Sequence, residues 1–223
     1  MTEHTMAPDI PTMLEKIEEL RPMLDANGAQ GEQNRRVLQE SVDALEAIGA
    51  FRVTQPKKYG GYQGLSQDHV DVARAVGRGD GGTGWITALI NMAGWLTALL
   101  PDQAQEDVWG EDPNTKVSGE WGYASGSWHA EWSFLGAELV DEDGNFDDAA
   151  QLLIPKSDLQ YRDTWYVAGM RSSGSNTWVA DDIFVPDHRV LRGSPALLGE
   201  YPGTNEDTPA VYKAGWIPWL NVI

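Results

Sequence analysis

Four sets of side chains in this sequence have the types and spacing to do chemistry. Trp121, Tyr123 and Ser125 set aromatic rings beside a hydroxyl. As plain structure they would be a strand with a packed tyrosine and an exposed serine. Arg171, Ser172 and Ser173 join a guanidinium to two hydroxyls, a group able to hold an anion. The alternatives there are a polar turn between strands and, for Arg171, a surface ion pair. His129 stands between two tryptophans in SWHAEW. Its ordinary pKa lies near neutrality, which suits a general base, although a structural hydrogen-bonder is the commoner role for such a histidine. Trp85, in TGWI, would either sit in a core or line a slot for a flat ring. His4, His69 and His188 have no metal-ligand spacing with carboxylates, so no metal site is expected. With no cysteine there is no thiolate nucleophile and no disulfide framework.

These residues need elements to hold them. Met13, Leu14, Ile17, Leu20 and Leu24 form a helical stripe, which Gly28 and Gly31 then punctuate. A second stripe carries Leu38, Val42, Leu45 and Ile48, with Gly49 as its stop. Residues 51–65, containing KKYGGYQG, read as a loop. Ser66 or Asp68 caps a third helix bearing Val70, Ala73 and Val76. The turn GRGDGGTG precedes an apolar helix from Trp85 to Leu100, and Pro101 opens a short amphipathic helix to Trp109. Beyond Val117 the composition changes. Residues 131–140, the turn DEDGN and residues 149–154 predict a β-hairpin, and a further strand runs from Asn176 to Val185, ended by Pro186. Helices followed by strands predict an α+β fold. The expected division is a helical domain over 1–114, an antiparallel β-domain over 115–190, and a linker with the start of a C-terminal helical bundle over 191–223.

Charge and hydropathy exclude some classes. The 223 residues carry 34 acidic and 16 basic side chains, a net charge of −18, which repels phosphate backbones and argues against nucleic acid. The most apolar stretch, Trp85 to Leu100, is interrupted by Thr87, Asn91, Gly94 and Thr97 and falls short of the roughly 18 apolar residues a membrane span needs. The polar start MTEHTMAPDIPTM lacks a signal-peptide pattern. Cytoplasmic residence is the expectation. The chain ends on the apolar run AGWIPWLNVI, which predicts a continuation into a helix.

Three stretches in order and register carry a resemblance: AFRVTQPKKYGG followed by GGTGWI, SGEWGYASGSWHAEW, and DTWYVAGMRSSGSNTWVADDIFVP. Together they resemble the acyl-CoA dehydrogenase superfamily, and within it the oxygenase components of two-component flavin-dependent monooxygenases acting on phenols and seco-steroid phenols. The resemblance implies reduced FMN or FAD delivered by a separate reductase, and hydroxylation of an aromatic substrate by O2 through a flavin C4a-hydroperoxide. It also implies assembly as a homotetramer. It puts Tyr123 against the isoalloxazine and Ser125 near its N5 and O4, and it assigns Trp121 to the cofactor as well. Arg171, Ser172 and Ser173 would face the anionic tail or the reduced ring, and Trp85 the substrate cavity. Some relatives of this type carry a histidine near position 93, where this chain has Ala93. The resemblance further predicts that a strand pair is missing near residues 117–118 and that most of the C-terminal bundle is absent, which would leave the cofactor site open and flavin binding weak or absent. An acyl-CoA dehydrogenase-like oxidoreductase and a non-catalytic interaction module are the rival expectations.

Overall fold

A computed structural model describes residues 9–109 and 119–216. The chain forms two compact units, one of Met1–Met92 with Tyr166–Gly174 and one of Ala93–Trp165 with Ser175–Ile223.

The first unit is helical. Helix α1 (Ile10–Asn34) starts on Asp9, whose carboxylate accepts from the Thr12 N–H at 2.9 Å, as an N-cap should. It ends where Arg35 turns left-handed at φ 55°. Gly28 and Gly31 do not interrupt it. A Cβ on Gly28 would stand 2.7 Å from Asp80 Oδ1, and one on Gly31 would stand 3.2 Å from Ser172 Cβ. Both glycines serve close approach, not punctuation. Helix α2 (Gln39–Ala47) stops before Gly49, at φ 77°. Helix α3 (Ser66–Gly77) is held at its start by Asp68, which accepts the Leu65 N–H at 2.8 Å. Met13, Ile17, Leu24, Leu45, Val72 and Val76 close the core of this unit.

Helix α4 (Gly81–Leu99) begins four residues earlier than the composition predicts. Asp80 caps it, accepting from the Thr83 N–H at 2.7 Å and its hydroxyl at 2.6 Å. The glycines of GRGDGGTG that follow Asp80 are therefore helical. A Cβ on Gly84 would lie 2.6 Å from the Gly77 Cα, and one on Gly82 would collide with Ser172 Oγ. The buried carboxamide of Asn91 ties α4 to the 50–54 loop. It donates to the Ala50 carbonyl and accepts from the Val53 N–H, both at 2.8 Å.

The second unit carries the sheets, after helix α5 (Asp102–Trp109). Its strands are β1 (Gly119–Ala124), β2 (Trp132–Val140), β3 (Phe146–Pro155), β4 (Gln160–Arg162), β5 (Asn176–Ala180) and β6 (Val190–Arg192), followed by helix α6 (Gly193–Leu197). They form two antiparallel sheets, β1-β5-β4 and β2-β3-β6. The predicted hairpin is β2–β3. Asp141 in its turn collects the N–H groups of Asp143 and Asn145 at 2.9 and 2.8 Å, and Gly144 supplies φ 81°, the local chemistry such a turn requires. Strand β5 ends at Ala180, short of Val185, because Asp182 bends out at φ 51°. Leu135, Leu152 and Ile154 of one sheet, Trp178 of the other and Leu159 between β3 and β4 share one core. Arg189, 2% exposed, reaches Asp107 of α5 with its Nε at 2.6 Å, and His188 Nε2 lies 2.8 Å from the same oxygen. Burial would raise the Asp107 pKa, but the hydrogen bonds from Arg189 and His188 hold it below the usual carboxylate range.

The architecture is α+β, helices followed by antiparallel sheets. The residues near 117–118, where a strand pair was expected to be missing, lie outside the described residues, as do residues 217–223 of the apolar C-terminal run. No helix among the described residues is long and apolar enough to cross a membrane.

Candidate functional site

Strand β1 does not run regularly to its end. Gly119, Glu120 and Trp121 pair with Ala180, Val179 and Trp178, but Ala124 pairs with Asn176, so the register shifts between Trp121 and Ala124. In a regular strand Tyr123 would follow Trp121 into the core two residues on. The bulge instead turns Tyr123 to solvent, and Ala124 takes the inward place. Tyr123 is left 81% exposed at φ 62°, a conformation that costs about 1–3 kcal/mol for such a residue. Bulges of this kind re-aim side chains, often beside active sites. The Trp165 ring meets Tyr123 edge-on at 5.9 Å between centroids. The carboxamide oxygen of buried Asn176 fixes that neighbour, accepting the N–H groups of Thr164 and Trp165, each at 2.9 Å.

Ser125 follows the bulge. Its N–H donates to the Tyr123 carbonyl at 2.8 Å, and its Oγ lies 2.5 Å from Ser175 Oγ. Trp121 is more deeply engaged: its indole N–H donates to the Gly136 carbonyl at 2.7 Å, and its ring packs on the sheet core. His129 lies in the turn after β1 and not on a strand, its N–H donating to the Gly126 carbonyl at 2.9 Å. Trp128 beside it meets the Tyr161 ring at 4.8 Å between centroids, the two planes tilted by 53°. Tyr123 at the end of β1 and Ser125 just after it thus share one neighbourhood with Trp165, Ser175 and Asn176. Sequence reasoning did not single out those last three. They lie inside the DTWYVAGMRSSGSNTW stretch, but no local spacing ties them to β1.

In the helical unit, Arg171, Ser172 and Ser173 form one 3-10 turn bounded by two left-handed residues, Met170 at φ 54° and Gly174 at φ 56°. Ser172 gives both its N–H and its hydroxyl to Glu32 of α1, at 3.1 and 3.0 Å. Ser173 Oγ donates to the Met170 carbonyl at 2.8 Å. Both serines are buried and anchor the turn. Arg171 differs. It makes no ion pair among the described residues, and its Nε is buried without a hydrogen-bond partner. An unsatisfied buried donor on a cation is costly alone and favourable once an anion arrives. Trp85, in the first turns of α4, is exposed rather than part of the core. Burial pushes the His69 imidazole down to about 4, so it is neutral near pH 7, and it is fully buried in the helical unit.

No family model matches the chain. It is similar, however, to the oxygenase subunit HsaA of a flavin-dependent monooxygenase from Rhodococcus jostii, 35% identical over 91% of this chain and 58% of that protein. It is 34% identical to the oxygenase component of an FADH2-dependent resorcinol hydroxylase from Rhizobium, over 80% of this chain and 48% of that one. The crystal structure of the HsaA monooxygenase from Mycobacterium tuberculosis superposes with a TM-score of 0.90 at 32% identity, covering 96% of this chain and 64% of that one. The chain thus spans little more than half the length of the curated relatives it matches.

Proposed function

We propose that this chain, which belongs to the family of flavin-dependent monooxygenase oxygenase subunits on the acyl-CoA dehydrogenase fold, supplies flavin contacts to an oxygenase component that hydroxylates an aromatic, phenolic compound. The observation that carries the reading is Tyr123, whose backbone is held left-handed and whose exposed ring a bulge sets two residues before a serine hydroxyl. A fold keeps such strain where something other than stability requires it.

When bound, reduced flavin supplies the electrons that activate O2. The chain's own groups bind and orient it. The Tyr123 ring offers an apolar face to a flat ring system and keeps water from it. Ser125 offers a hydroxyl to the polar edge. Trp121 and Asn176 position these two through the sheet, and Trp165 supports the tyrosine ring. The unsatisfied guanidinium of Arg171 suits an anionic group of the cofactor, in the same or a neighbouring subunit, with Ser172 and Ser173 holding its turn in shape. Trp85 offers an indole to a flat aromatic substrate, and Ala93 leaves that helix without an imidazole for a phenolate. His129 is the candidate for a base on the β-unit.

The cofactor in this reading is FADH2 or FMNH2, delivered by a separate reductase, and the relatives' names as oxygenase subunits and components support that division of labour. Assembly as a tetramer, a cytoplasmic location (which the absence of cysteine fits), and the domain division 1–114, 115–190 and 191–223 belong to the same reading.

Anaerobic titration of the chain with reduced FMN and FAD tests it. Saturable binding is expected, weakened about tenfold by Tyr123→Ala and by Arg171→Ala separately, the loss of one stacking or charge-assisted contact. Binding that neither substitution changes would refute the assignment. Conversion of a simple phenol to a catechol on admitting oxygen would extend the result from cofactor to reaction.

A further inference from the structure

We infer that Ser175 is a positioning residue for Ser125, and that their hydroxyls form a relay through which Ser125 presents outward either a proton or a lone pair. The inference rests on the reading of Ser125 as a flavin contact.

The geometry comes from the ladder. Ala124 and Asn176 are partners across the antiparallel β1–β5 pair, so the next residues out, Ser125 and Ser175, face one another. Their oxygens lie 2.5 Å apart, and either can be the donor. Ser175 is 4% exposed, whereas Ser125 is half-buried. The pair thus has an inner member shielded from water and an outer member within reach of a ligand. The outer member is also tied to Tyr123, whose carbonyl accepts the Ser125 N–H at 2.8 Å.

A hydroxyl has one proton and two acceptor lone pairs. When Ser175 donates to Ser125, the Ser125 proton can point outward, toward a carbonyl oxygen. When both hydroxyls rotate and Ser125 donates inward, its lone pairs face outward, toward an N–H. A reduced flavin edge presents both a carbonyl at O4 and an N–H at N5. The Ser125–Ser175 pair can match either without moving a heavy atom. With alanine at 175, the Ser125 hydroxyl would keep its chemistry but lose this orienting partner.

The test is a two-residue cycle on the full chain, read by anaerobic titration with reduced FMN. Ser175→Ala is expected to weaken binding about fivefold, the worth of one hydrogen bond. Ser175→Thr, which keeps the hydroxyl, should return affinity to within about twofold of the unsubstituted chain. In a Ser125→Ala background, Ser175→Ala should have no further effect, because its influence passes through Ser125. A general structural role would instead lower affinity by the same factor in both backgrounds, and that result overturns the inference. So does a Ser175→Ala chain that binds normally while Ser125→Ala binds weakly, an outcome that leaves the flavin reading standing. If Ser125→Ala itself changes nothing, or if the unsubstituted chain shows no saturable binding up to about 1 mM, the flavin reading falls and the relay falls with it.

Discussion

Tyr123 condenses the functional argument into one residue. Its backbone is left-handed, its ring is exposed, and neither property helps a sheet. Two substitutions separate the contributions. Tyr123→Ala removes the ring but keeps a Cβ in the left-handed region, whereas Tyr123→Gly removes both. Glycine adopts that region at no steric penalty, so the Gly chain should be more stable than the Ala chain by about 1 kcal/mol, read as a higher urea midpoint. Both should lose reduced-flavin affinity to a similar degree. Equal stabilities would mean that the bulge relaxes when the ring is absent and that the strain belongs to the aromatic side chain. Arg171 makes the complementary point. Its buried, unpartnered Nε is a polar group whose partner is not supplied by the described residues, and Ser172 and Ser173 are engaged in shaping its turn.

At the scale of elements, the glycines of α1, α3 and α4 govern how near the helices and the Arg171 turn come to one another. Gly77 and Gly84 meet backbone to backbone, where a Cβ on Gly84 would sit 2.6 Å from the Gly77 Cα. Replacing a helical glycine by alanine normally stabilises by about 0.5–1 kcal/mol. Here the obstructing atoms are main chain and cannot rotate away, and overpacking costs about 1–3 kcal/mol. Gly84→Ala should therefore lower the thermal midpoint of the chain, and an unchanged or higher midpoint would show that α3 and α4 separate at little cost. Gly82 has the same function toward Ser172, which couples the start of α4 to the turn carrying Arg171. Asn91 does comparable work with hydrogen bonds, joining α4 to the 50–54 loop through buried main-chain groups that would otherwise be unsatisfied.

Over the whole molecule the dominant electrostatic fact is a net charge of −18. Self-repulsion of that size opposes the compact state. Raising the salt from about 0.01 to about 0.15 M shortens the screening length from about 30 to about 8 Å, so the urea midpoint should rise over that range. A flat or falling midpoint would mean that attractive pairs such as Arg162–Glu120 and Arg78–Glu18 outweigh the net repulsion. The order of helices and sheets is legible in the sequence by itself. Amphipathic stripes such as Met13 to Leu24, and the Asp141–Asn145 turn, are written in short-range periodicity and local side-chain-to-backbone bonding. The stretches that carry the family likeness also point to Tyr123, Ser125 and Arg171. Only the tertiary structure decides the outward turn of Tyr123, the helical state of Gly81 to Gly84, and the meeting of Ser125 with Ser175. Each depends on which distant segment lies alongside: the pairing of β1 with β5 shifts the register within β1, and a helix crossing removes the room for a Cβ. Short-range preference is silent on both, since cross-strand register and close approach are set by partners far away along the chain.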